Sequence, residues 1–76
     1  MTYRETINTF RALALAKGLE AVDKSGDGVL RIEYRKNGLY VGGASYIGCV
    51  SHPEWIRPSD WKAAERQIAS LATKEV

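Results

Sequence analysis

Asn37-Gly38 stands between two alternating segments, Leu30-Arg31-Ile32-Glu33-Tyr34-Arg35 before it and Leu39-Tyr40-Val41 after it. A two-residue type I′ turn needs positive φ at both central positions, and Asn-Gly meets that need at the least steric cost. The turn predicts a hairpin register: Lys36 opposite Leu39, Arg35 opposite Tyr40, Tyr34 opposite Val41, Glu33 opposite Gly42 and Ile32 opposite Gly43. Cross-strand partners share a face. One face is then expected to carry Leu30, Ile32, Tyr34, Leu39 and Val41, and the other Arg31, Glu33, Arg35, Tyr40, Ala44 and Tyr46. Gly42-Gly43 is expected to bend or bulge the second strand, and Ser45 to Val50 to form a third.

The flanking segments have a helical period. Thr2 and Glu5 form a capping-box pattern, and Tyr3, Ile7, Phe10, Ala14 and Ala21 fall on one stripe, with Leu13 and Val22 on its flanks. This predicts a helix over roughly residues 3 to 21, weakened near Gly18. At the other end Trp61, Ala64, Ile68, Leu71 and Ala72 recur on one stripe, predicting a helix from about 59 to 74. The irregular HPEWIRP segment precedes it, with Pro53 and Pro58 restricting the residues before them. Two amphipathic helices and a sheet with one apolar face predict an α+β domain, a two-layer αββ(β)α sandwich. Both helices should cover the Leu30, Ile32, Tyr34 side of the antiparallel sheet.

The chain has 76 residues, enough for a single domain spanning 1–76 with a modest core and little room for a deep cavity. A surface is the expected working part. The formal charge is +2, with no block of like charges of the kind nucleic-acid binding leaves. No apolar run is long enough to span a bilayer, and the polar start MTYRETINT has no signal-peptide pattern. A lone cysteine, Cys49, agrees with a reducing compartment, so a cytoplasmic protein with no membrane partner is expected.

The stretch DKSGDGVL resembles the opening of a calcium loop, with Asp23, Ser25, Asp27 and Gly28 at positions 1, 3, 5 and 6. Position 9 is Arg31, which supplies no oxygen, and position 12 is Tyr34, which cannot replace a bidentate glutamate. The residues that follow alternate as a strand does, where an EF-hand needs a second helix. The plain reading is a polar turn; a calcium module ranks third among the functions considered. Cys49 and His52 offer half of a zinc site with no second half, and nucleophile and base so close in sequence seldom reach catalytic geometry. No catalytic residue, metal or cofactor is expected.

The polar sheet face is the expected site. Arg31, Arg35, Tyr40 and Tyr46 are residue types enriched at protein interfaces, and Trp55 is either a core-closing residue or an exposed anchor. The competing reading is a solvated face on which Arg35 stacks on Tyr40 and pairs with Glu33. The αβββα order and the segment SDWKAAERQIASLA resemble the double-stranded-RNA-binding domain, whose second helix opens with phosphate-gripping lysines. Here Asp60, Trp61 and Ala64 stand at lysine positions and only Lys62 remains, so the nucleic-acid reading is the alternative rather than the first choice. As a format, a small cysteine-poor αβββα chain with an Arg/Tyr hairpin face is similar to the anti-CRISPR proteins of phages and other mobile elements. That resemblance implies a viral-type, non-enzymatic inhibitor that binds a CRISPR effector complex and blocks DNA recognition.

Overall fold

The computed structural model describes residues 1–75. Helix α1, Tyr3–Leu15, starts where Thr2 and Glu5 cap each other: the Glu5 N–H donates to Thr2 Oγ1 (3.1 Å) and the Thr2 N–H to Glu5 Oε1 (2.9 Å). Thr6, Ile7, Phe10 and Ala14 form its buried stripe. The helix ends six residues before the expected 21. Gly18 adopts φ +79°, and the Leu19 N–H turns back to the Ala14 carbonyl (2.9 Å), which is how a left-handed residue closes a helix. Ala21 keeps the helical spacing from Ala14 by coincidence. It lies instead in strand β1, Glu20–Asp23, where pairing with the central strand outweighs the local pattern.

Strand β2, Val29–Lys36, is joined to β1 by a tight turn at Asp27-Gly28, with φ +52° and +76° and a bridge between Gly26 and Val29. Asn37-Gly38 repeats the geometry, with φ +53° and +80°, and leads into β3, Leu39–Ile47. The sheet is an antiparallel meander in the order β1-β2-β3. The third strand is therefore β1, and the expected separate strand from Ser45 to Val50 is the end of β3 followed by a turn.

The predicted register holds for Lys36 with Leu39 and Arg35 with Tyr40, then shifts. Val41 is the extra residue of a bulge, so Tyr34 lies opposite Gly42, Glu33 opposite Gly43, Ile32 opposite Ala44, Arg31 opposite Ser45 and Leu30 opposite Tyr46. A shift of one residue exchanges faces. Ala44 and Tyr46 consequently lie on the helix side of the sheet.

Helix α2, Pro58–Ala72, begins with proline, whose absent N–H costs nothing at a helix start, and with the Asp60 carboxylate accepting the Arg57 N–H (2.9 Å). Both helices cover the face that carries Leu30, Ile32 and Tyr34, α1 over β1 and α2 over β3. Phe10 is fully buried, with ring centroids 4.6 Å from Trp61 and 5.6 Å from Tyr46, and so joins both helices to the sheet. Burying a ring of this size contributes roughly 2–3 kcal/mol. Side chains around α2 also cover the β3 edge: Gln67 Nε2 donates to the Gly43 carbonyl (2.8 Å) and Lys74 Nζ to the Val41 carbonyl (3.2 Å). Lys36 Nζ donates to the carbonyls of Ala72 (2.8 Å) and Lys74 (2.6 Å), a cation placed at a helix C-terminus.

Candidate functional site

Alternation along three paired strands decides which side chains meet on the uncovered face. From β2 come Val29, Arg31, Glu33 and Arg35; from β3, Tyr40, Gly43, Ser45 and Ile47; from β1 and its extension, Glu20, Val22 and Lys24. Three basic and two acidic residues mix there, so the face carries no concentrated charge. Of the expected contacts, Arg31, Arg35 and Tyr40 lie on it together.

Arg35 is flanked by Glu20 on β1 and Tyr40 on β3, and its Nε donates to Glu33 Oε2 at 2.6 Å. The Arg35 side chain is 36% exposed and that of Glu33 22%, so water screens the pair and its value is local orientation more than stability. Tyr40 is 65% exposed. Its hydroxyl end lies over Gly43, where a side chain would meet the phenol oxygen at 3.7 Å and the Ile32 carbonyl at 2.8 Å. Beside it Arg31, Glu33, Tyr40, Gly43, Ser45 and Lys24 line a shallow depression.

Tyr46 does not belong to this face. It is half-buried under α1 against Phe10, and burial, with the negative charges of Asp60 and Cys49 adding to it, pushes its phenol above the usual range. Trp55 is not part of the Tyr40 surface either. It sits in a short 3-10 turn, Pro53–Trp55, 55% exposed, stacked on His52 with centroids 4.1 Å apart and lying against Gly48. Gly48 is eight residues beyond Tyr40 along the chain, a separation of about 25 Å at strand spacing. Ile56, not Trp55, closes the core. Ile47, beside Gly48, is 84% exposed, so Trp55 and Ile47 make a second apolar patch at the far end of β3.

Sequence reasoning missed Glu20, Val22 and Lys24, which it had assigned to the helix and the turn after it. Asp27-Gly28 was the signal that could have found them, since Asp-Gly favours the same turn as Asn-Gly. In the stretch that resembles a calcium loop, the Asp23 carboxylate accepts the Tyr3 hydroxyl and the Ser25 N–H. Burial works against its ionisation, but those hydrogen bonds and the Arg11 charge outweigh it and hold the carboxyl below its usual range. The loop runs directly into β2. Cys49 is buried, and desolvation raises its thiol pKa, the reverse of an activated nucleophile.

No helix among the described residues is long and apolar enough to cross a membrane, and no group of three or more His, Cys, Asp or Glu side chains there could hold a metal ion. Comparison of the chain with known protein families, curated proteins and solved structures gives no match.

Proposed function

We propose that this chain is a non-enzymatic protein-binding module whose uncovered sheet face docks against a partner protein through Tyr40, Arg31 and Arg35. The supporting observation is Tyr40: a large aromatic side chain, two-thirds exposed, with its hydroxyl near Gly43 and two arginines beside it, on the sheet face opposite both helices. Tyrosine offers a large contact area with only about two rotatable side-chain bonds to immobilise on binding, and arginine adds directed hydrogen bonds at the rim. The most concrete form of the reading, suggested by the small αβββα format, is an inhibitor that occupies a CRISPR effector complex and blocks its access to DNA in the cytoplasm. The exposed Trp55 and Ile47 provide a second contact patch.

The test is plasmid interference in cells carrying representative CRISPR systems, with the wild-type chain and an Arg35→Ala/Tyr40→Ala double variant. Expression of the wild type abolishes interference by at least one system, and the double variant restores it while melting as the parent does. Inhibition by the double variant equal to wild type refutes the assignment of the face. Failure of the wild type against every system refutes the inhibitor form. Binding to duplex RNA or DNA that weakens steeply with salt would favour a phosphate-binding function instead.

A further inference from the structure

The two edges of the sheet are finished differently. At β3 the outward carbonyls of Val41 and Gly43 are taken by Lys74 and Gln67. At β1 the Lys24 N–H donates to the Arg31 carbonyl (2.9 Å), which sets the parity of the strand. Glu20, Val22 and Lys24 turn their backbone groups toward β2, while Ala21 and Asp23 turn theirs outward. Those outward N–H and C=O groups have no hydrogen-bond partner among the described residues. Alongside them runs a groove lined by Arg11, Leu15, Leu19, Glu20, Ala21 and Val22, in which Leu15 is 76% exposed.

We infer that the β1 edge accepts an extended segment of a partner protein as a fourth, antiparallel strand, distinct from the Tyr40 contact. The side chains flanking the edge define the chemistry of that segment. Opposite partners share a face, so Glu20 calls for a basic residue, Val22 for an apolar one and Lys24 for an acidic one on the open side. On the helix side, the residue opposite Ala21 lies against Leu15 and Leu19 and is apolar. Read from its N-terminus, the segment is acidic, any residue, apolar, apolar, basic. It gains four backbone hydrogen bonds, two each to Ala21 and Asp23, the mode of strand addition.

A second copy of the chain satisfies the same charge order, because Glu20, Val22 and Lys24 would face Lys24, Val22 and Glu20 across a two-fold axis. Its helix does not fit. Packed helices lie about 8–10 Å apart and three strands span about 10 Å, so α1 and α2 already cover the whole sheet. A second α1 would enter the space above β1 that the first one fills. A bare strand meets no such obstacle.

The experiment titrates the isotope-labelled protein with the capped heptapeptide GETVVKG, its charge-swapped control GKTVVEG, and GETVVKG N-methylated at the threonine and the second valine. NMR shifts report the contact, and hydrogen exchange reports bonding at the amides of Ala21 and Asp23. The matched peptide shifts and slows those two amides. Reversing two cross-strand charge pairs weakens it about tenfold, and N-methylation abolishes the effect. Equal binding by either control, shifts confined to the Tyr40 face, or no binding at millimolar peptide overturns the inference. Concentration-dependent dimers of the peptide-free protein that protect the same amides also overturn it, in favour of the second copy.

Discussion

Tyr34 is fully buried on the central strand, and its hydroxyl has no hydrogen-bond partner among the described residues. A buried hydroxyl without a partner costs about 1–3 kcal/mol in proteins, and Tyr34→Phe removes only that oxygen. Part of the gain is offset by the small void left behind, so the expected stabilisation is about 1 kcal/mol at neutral pH. For a domain of this size that is a rise in melting temperature of roughly 4–8 °C. Alkaline pH enlarges the difference. Burial raises the Tyr34 phenol far above its ordinary value, and the negative charge of Tyr46 adds to the rise. In the unfolded chain Tyr34 ionises near pH 10, whereas the folded chain holds it neutral. The stability from this group is fully present below about pH 10 and is lost as pH climbs above it, by about 1.4 kcal/mol per unit. Phenylalanine has no proton to lose, so the variant keeps that stability. Urea denaturation of both proteins at pH 7, 9, 10 and 11 measures the two effects. A variant destabilised by more than about 1 kcal/mol at pH 7, with no added advantage above pH 10, would falsify the account of an unpartnered hydroxyl.

Two further outcomes are expected. Thr2→Ala breaks the capping box at the start of α1 and lowers stability by about 1 kcal/mol, readable as a melting temperature several degrees below the parent; an unchanged melt removes the cap from the reasons α1 starts where it does. Melts in calcium and in chelator should coincide, because the Asp23 carboxylate is engaged by Tyr3 and Ser25 and β2 leaves the loop directly. A midpoint raised by calcium contradicts this, since any ligand bound only by the native state must raise it.

The parts of the fold governed by local rules were legible in the sequence. The capping box, the Asn-Gly turn and the stripe of α2 each act within a few residues, and each appears as expected. The parts set by distant partners were not. The four residues of β1 are too short to display alternation, and only their pairing with β2 makes them a strand. The bulge at Val41 was foreshadowed by Gly42-Gly43, but which residue is left unpaired depends on how β3 packs under α2. That one residue moved Tyr46 from the open face to the core. Arg31 and Arg35 could be placed together because they alternate along one strand, and Tyr40 because it pairs with Arg35 on the turn side of the shift. Trp55 could not, since its stacking on His52 and contact with Gly48 follow from an irregular segment with no period.

The meander is built wholly from neighbours in sequence, each strand zipped to the next across a two-residue bend. Such ribbons close on the microsecond scale, because almost no chain must be looped to form them. Docking α2 against Phe10 is different, since Trp61 lies fifty-one residues away along the chain. Docking the second helix therefore carries the largest loop-closure cost of any contact described for this fold.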